Sequence, residues 1–232
     1  MSRHASLPAA NRRAALMASA ATIALLTGAG TATAAETPKI WQGMYIGANG
    51  AYTASDSETA QYDKWDGDGW GGGVQAGYNH PVSGFFLGAE VDLSLMNVHG
   101  RSDPLFGGKI VSDLSNRLNA AGSLRLRSGM PLSDLPLIKD ALVYGTGGLA
   151  IGSWKTRYTE TDGGSIVDEA TNNHIGWTAG GGVEVPITEN LGVKLEYLHT
   201  DYGDSVFELT GGPYTVDTSD DSVRVGMNWH LN

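Results

Sequence analysis

From Leu87 to Met96 the side chains alternate without a break. Leu87, Ala89, Val91, Leu93 and Leu95 fall on one face of an extended chain, and Gly88, Glu90, Asp92, Ser94 and Met96 on the other. The same period of two returns four more times. Leu118, Ala120, Gly122, Leu124 and Leu126 oppose Asn119, Ala121, Ser123, Arg125 and Arg127. Ile175, Trp177, Ala179, Gly181, Val183 and Val185 oppose Gly176, Thr178, Gly180, Gly182 and Glu184. Leu191, Val193, Leu195 and Tyr197 oppose Gly192, Lys194, Glu196 and Leu198, and Val223, Val225, Met227, Trp229 and Leu231 oppose Ser222, Arg224, Gly226, Asn228 and His230. Weaker versions lie at about 41–52 (Met44, Ile46, Ala48), about 70–78 (Trp70, Val74, Ala76, Tyr78) and about 141–154, the last without a clear face assignment. A helix cannot hold such a pattern, so the chain is all-β, with eight strands.

The connections between these segments alternate in length. Residues 53–69, 99–116, 155–173 and 203–221 are long and polar, 79–84 and 187–190 are short, and 129–140 is intermediate. Long and short connections in turn, with an even strand number, are what an up-and-down transmembrane barrel produces, and nine to twelve residues suit a tilted strand that crosses a bilayer. The expected fold is therefore an eight-stranded antiparallel up-and-down transmembrane β-barrel with four long extracellular loops. Glycine supplies 33 of 232 residues, about twice the usual share of roughly 7%. Gly71, Gly73, Gly77, Gly176, Gly180 and Gly182 fall on the polar face, where a narrow cylinder needs room for large neighbours.

Residues 1–35 have a different character. Arg3, Arg12 and Arg13 precede an apolar run from Ala14 to Leu26 and a small-residue end at Ala32-Thr33-Ala34, the layout of a cleaved secretory signal peptide with cleavage after Ala34 or Ala35. The barrel domain is then 36–232, with 12 basic and 25 acidic residues, a net charge of −13. That balance speaks against nucleic acid as a partner, and the absence of cysteine removes thiolate metal sites and thiol nucleophiles.

Charge on the polar face is balanced. Glu90, Asp92, Glu184 and Glu196 meet Arg125, Arg127, Lys194 and Arg224. Buried charges must pair, and neighbouring strands suggest two local groups, Glu90 and Asp92 with Arg125 and Arg127, and Lys194 and Glu196 with Glu184 and Arg224. Such a lumen is filled by salt bridges and leaves no ion path. Trp70, Tyr78, Trp177, Tyr197 and Trp229 lie towards segment ends on the apolar face, as an aromatic girdle at the membrane interfaces would. Alternation alone does not say which face is inside. A soluble lipocalin-like periplasmic carrier, apolar within and polar without, remains the architectural alternative.

From Gly43 to Leu231 the chain resembles the eight-stranded outer-membrane β-barrel family of alphaproteobacteria, the porin-family proteins of Omp25/Omp31 type, with a general likeness to the OmpA transmembrane domain. The carrying stretches are Trp41-Gln-Gly-Met-Tyr-Ile-Gly-Ala-Asn-Gly, Phe86-Leu-Gly-Ala-Glu-Val-Asp, Leu124-Arg-Leu-Arg, Val143-Tyr-Gly-Thr-Gly-Gly-Leu-Ala, Trp177-Thr-Ala-Gly-Gly-Gly-Val-Glu, Leu195-Glu-Tyr-Leu and Val223-Arg-Val-Gly-Met-Asn-Trp. The resemblance implies a surface-exposed barrel in the outer membrane of a Gram-negative bacterium, delivered by the outer-membrane assembly machinery into lipid and lipopolysaccharide. It also implies relatives with structural, haem-binding or host-ligand roles. Family chains usually end on an aromatic residue, whereas here the outward phase ends at Leu231 before Asn232, with the aromatic Trp229 two positions before Leu231, so that assembly is either tolerated or slowed.

Chemistry is sparse. No H-E-x-x-H or G-x-S-x-G string occurs, and the histidines are scattered, so neither an enzyme nor a resident cofactor is expected. His80 and His230 fall near the periplasmic end. His99, His174 and His199 fall near the extracellular end and are the candidates for haem or metal capture. Asp66-Gly67-Asp68-Gly69 lacks the spacing and closing Glu of a calcium loop, and is read as an acidic turn. The four long connections hold 16 acids and 5 bases, −11 of the −13. The expected role is a structural barrel that displays acidic surface loops, with a plugged lumen of little or no conductance. The alternatives are a surface binding protein for haem or a host-cell ligand, and a small-solute porin.

Overall fold

The computed structural model describes residues 38–59, 62–102, 105–106, 109–110, 112–132, 140–160, 166–209 and 212–231. The leader assignment for residues 1–35 and its cleavage at Ala34 or Ala35 lie outside them. After a short 3-10 turn, Lys39–Trp41, come ten strands: β1 Gly43–Thr59, β2 Tyr62–Val82, β3 Phe85–Ser102, β4 Leu105–Phe106, β5 Lys109–Ile110, β6 Ser112–Leu132, β7 Ala141–Glu160, β8 Ile166–Pro186, β9 Leu191–Leu209 and β10 Gly212–His230. Eight of them close a barrel in the order β1-β10-β9-β8-β7-β6-β3-β2, and β4 and β5 pair only with each other. Every barrel neighbour is antiparallel, and β1 meets β10 from Tyr45↔His230 to Thr59↔Val216.

The faces sort as a membrane solvent requires. Leu93, Leu126 and Ile175 are 65%, 72% and 71% exposed, while Glu90, Arg125 and Lys194 on the opposite face are 1% exposed. Apolar side chains outside and charged ones inside fit a chain surrounded by lipid, and invert a lipocalin, whose cavity is apolar. That soluble alternative is overturned. Trp70, Tyr78, Trp177 and Trp229 are each about half or more exposed, and Tyr197 is partly covered. Trp70 and Tyr78 are eight residues apart on β2, about 26 Å of strand and roughly 20 Å of height at a ~40° tilt.

One end is tied by tight turns. Ser83 (φ 44°) and Gly84 (φ 89°) join β2 to β3, the two positive φ values of the turn whose twist matches a two-residue hairpin. Between β8 and β9 the Thr188 hydroxyl accepts from the Asn190 and Leu191 amides at 3.3 and 3.0 Å. At the other end strand pairing runs well past the apolar band. Residues 53–59 and 62–69 pair as β1 and β2, and 155–160 with 166–171 as β7 and β8. The long connections therefore stand up as hairpin extensions, and Gly67, Asp68 and Gly69, expected in a turn, pair with β1 and β3. Alternation stops there because water bathes both faces: the sequence pattern marks where lipid ends, not where the strand ends.

One side chain departs from its expected face. Leu118, in the apolar phase of its segment, is buried inside against Met96 and Val98, because the β6 register with β7 shifts between Leu118 and Ala120. The extra residue of a bulge reverses the phase beyond it. In β7, where the sequence left the faces open, Leu142 and Tyr144 are buried within, and Leu149 and Ile151 are exposed.

Placing an ammonium among the lipid-facing leucines tests the orientation. Leu93→Lys should weaken the barrel by about 2–4 kcal/mol in denaturant titrations from lipid vesicles, the cost of lysine near a bilayer midplane.

Candidate functional site in the barrel lumen

Glu90 on β3 is the centre of the lumen. It stands opposite Arg125 of β6 in the register, and Arg125 Nη2 donates to its Oε1. Arg127 Nη1 reaches Oε2 at 3.2 Å, the Tyr45 hydroxyl donates to the same oxygen at 2.6 Å, and Lys194 Nζ lies 3.4 Å from each oxygen. Arg125 Nη1 also pairs with Glu196 Oε2 at 3.2 Å, and the Tyr144 hydroxyl donates to Glu196 Oε1 at 2.8 Å. Asp92 takes Arg224 Nη1 at 2.9 Å and the Ser123 hydroxyl. Glu184 accepts from Asn228 Nδ2 at 2.8 Å, lies 3.1 Å from His230 Nε2, and faces Arg127 Nη2 at 3.4 Å.

All eight ionic residues named by the sequence lie in this one network, but not in two local groups. Lys194 stands opposite Glu184 in the register, yet its ammonium goes to Glu90 and Glu196. Glu184 is met instead by Arg127, and Arg224 reaches from β10 to Asp92 on β3. Eight strands enclose so narrow a space that long side chains from one wall touch the other. Glu90 and Asp92 do pair with Arg125 and Arg127 on the neighbouring strand, and pairs across the lumen are added to these.

Arg127 is held by rings as well as by carboxylates. Its guanidinium carbon lies 4.0 Å from the Tyr144 centroid, 5.2 Å from Tyr45 and 5.8 Å from Phe86, the arrangement that cation–π attraction favours. Glycine makes room for these rings: a Cβ at Gly182 would come within 2.7 Å of the Tyr144 hydroxyl, and one at Gly77 would strike the Tyr45 ring. Beside them Trp41, Phe86, Leu142 and Tyr144 form an apolar cluster, with Trp41 Nε1 donating to the Asp140 carbonyl at 2.8 Å. This cluster lies at the end of the tight turns, where the described residues begin at Pro38 and stop at Leu231, the periplasmic end of such a barrel. Towards the other end the lumen turns to hydroxyls. Thr53 lies 2.9 Å from Ser222, and Thr200 donates to Thr178 at 3.0 Å.

Sequence reasoning missed the phenols, Trp41 and His230. His230, read from the sequence only as one of the scattered histidines near the periplasmic end, is fully buried beside Glu184 and stacks edge-on to Trp41 at 5.3 Å. Of the haem and metal candidates, the two whose side chains are described, His174 and His199, belong to opposite faces of the wall. His174 is in phase with the inward Thr178, whereas His199 is in phase with the lipid-facing Leu195 and lies 2.9 Å from Asp221 Oδ1. His99 pairs through its backbone with Asp68 and Arg117, and its side chain lies outside the described residues. Among the described residues no group of three His, Cys, Asp or Glu could hold a metal ion.

A closed antiparallel cylinder, greasy outside and ionic within, defines an integral outer-membrane β-barrel. The chain belongs to the family described as the outer membrane protein beta-barrel domain, which matches residues 21–230. It is 32% identical to the 22 kDa outer membrane protein of Rhizobium leguminosarum bv. viciae, covering 81% of this chain and 76% of that one. It is 31% identical to the 31 kDa outer-membrane immunogenic protein of Brucella melitensis, covering 82% and 83%. A major outer membrane protein from Thermus thermophilus superposes with a TM-score of 0.50 at 15% identity, over 79% of this chain and 99% of that one, a likeness of fold alone. The protein resides in the outer membrane of a Gram-negative bacterium.

Removing Glu184 would leave Arg127, Asn228 and His230 without their shared acceptor. Glu184→Ala should cost about 3–5 kcal/mol, the penalty for breaking a buried pair, read as a fall in the urea midpoint of the refolded barrel.

Proposed function

We propose that this protein is a structural, non-catalytic component of the outer membrane, a closed barrel that displays acidic surface hairpins and conducts little or nothing. The carrying observation is the lumen network, in which Glu90 alone engages Arg125 and Arg127 from the neighbouring β6 and Lys194 from β9 on the facing wall. An ion entering the cylinder must part pairs whose separation leaves charge unpaired in a space remote from bulk water. The periplasmic mouth supports the same reading, since Trp41 and Phe86 are fully buried there. The partners on this reading are outer-membrane lipid, lipopolysaccharide and the assembly machinery. The hairpins, with most of the net charge, face the medium and suit display. The scattered His174 and His199 give no support to a haem site.

Planar-bilayer recording of the refolded chain is the test. The bilayer should stay at baseline, without the large stable steps of a water-filled porin. Regular steps of that size would refute the closed lumen.

A further inference from the structure

The charges of the lumen do not cancel. Among the described residues the four acids of the network, Glu90, Asp92, Glu184 and Glu196, each meet at least one of its four bases, and a fifth inward acid, Asp220, meets none. Asp220 lies on β10 in phase with the inward Ser222 and Arg224, and is 3% exposed. Its Oδ1 is buried without a hydrogen-bond partner. The charges nearest it are Asp221 and His199. Both are in phase with lipid-facing residues of their strands, Val225 and Leu195, and they engage each other at 2.9 Å. A buried carboxylate left uncompensated is costly, so Asp220 calls for a positive charge that the described side chains do not supply.

The surroundings decide what kind of charge fits. Ser55 stands opposite Asp220 on β1, and its hydroxyl bonds the carboxylate. Thr200 stands opposite on β9 and donates its proton to Thr178 at 3.0 Å, which leaves the lone pairs of its oxygen. Two residues nearer the centre, Thr53 and Ser222 lie 2.9 Å apart. These are oxygen donors, the ligands of hard cations such as calcium and magnesium. Asp221 adds a second negative charge from the other face of the wall, balanced only when His199 is protonated, and two negative charges favour a divalent ion. Solvent reaches this layer from the outer end: Glu184, Glu196 and Asn228 are 0% exposed, whereas Ser55, Thr200 and Arg224 retain 6%, 8% and 8%. Asp220 lies four residues beyond Arg224, about 13 Å of strand or roughly 10 Å of height at the tilt of such barrels. It therefore lines a vestibule above the ionic plug, on the side of the medium.

We propose that this outer vestibule is a cation site, in which the Asp220 carboxylate and the hydroxyls of Ser55 and Thr200, completed by water, take a divalent metal ion of the calcium class from the medium. One carboxylate with neutral oxygens places it among weak extracellular sites, with a Kd of about 10⁻⁴–10⁻³ M. The ion ties β1, β9 and β10 together, and β1 with β10 is the pair that closes the barrel. The site stands above the plug, so it holds whether or not the lumen conducts.

The test is equilibrium dialysis of the full chain, refolded in detergent, against radioactive calcium. Mildly alkaline buffer keeps carboxyl groups ionised, and sodium chloride of physiological strength screens loose attraction. Wild type should hold one calcium ion more than Asp220→Asn, because sites on the acidic hairpins are common to both chains. Asp68→Asn, in phase with the exposed Trp70 on the outer face, should retain that ion. Calcium at about ten times its Kd should raise the urea midpoint of wild type and leave that of Asp220→Asn in place. Folding of each variant is checked by heat-dependent gel mobility. If Asp220→Asn does not fold, Ser55→Ala with Thr200→Val should weaken the same ion severalfold, and unchanged binding there would count against the site. Equal uptake by wild type and folded Asp220→Asn, as a carboxyl kept protonated or filled by sodium would give, would overturn the assignment. Loss of the ion in Asp68→Asn would overturn it too, by moving it to the outer wall. Conductance does not enter this readout, so an open lumen would defeat the closed-barrel reading separately.

Discussion

One carboxylate holds the interior together. Glu90 on β3 is engaged by two guanidinium groups of β6, the ammonium of β9 and a phenol of β1, so four of the eight barrel strands converge on a single side chain. A buried ionic cluster is not the cheapest filling for a cylinder, because desolvation offsets much of the attraction. Its value lies in contrast. A barrel in lipid has an apolar exterior by necessity, and an apolar interior as well would leave each strand with two similar faces. A slip of one residue exchanges the faces of a strand. With charge inside, such a slip would put Glu90 or Arg125 into hydrocarbon, so the network specifies the register as well as filling the space.

The same contrast makes the fold legible in the sequence. Five segments carry an unbroken alternation, and their phase alone assigns Glu90, Arg125, Lys194 and Arg224 to the polar face. What the sequence does not resolve has physical causes. The bulge near Leu118 reverses the phase, and nothing in the local residues marks an inserted position. The outer hairpins lose their alternation because both faces are wet, so paired strand looks like loop. The choice of ionic partners reads as local, because register names neighbours along the sheet and says nothing of the distance across the cylinder. Lys194, beside Glu184 in the ladder but bonded to Glu90, illustrates this.

Aromatic residues are the other gap. Tyr45 and Tyr144 lie in the inward phase, and an isolated tyrosine on a polar face carries little signal in a sequence. Its meaning comes from glycine on a neighbouring strand: Gly77 beside Tyr45 and Gly182 beside Tyr144 leave the space in which each ring lies against Arg127. Position-by-position glycine counts hint at a crowded interior, but only the register pairs each glycine with its ring. The outcome is a lumen in which hydroxyls, rings and ion pairs are arranged in layers from one mouth to the other.

A double-mutant cycle on Glu90→Gln and Arg127→Met, followed by urea unfolding from lipid vesicles, addresses the centre of this account most directly. If the residues act within one network, the two losses should fail to add, with a coupling of about 1–3 kcal/mol. Additivity within about 0.5 kcal/mol would mean that the two side chains merely share a compartment, and that something other than the cluster around Glu90 holds the barrel in register.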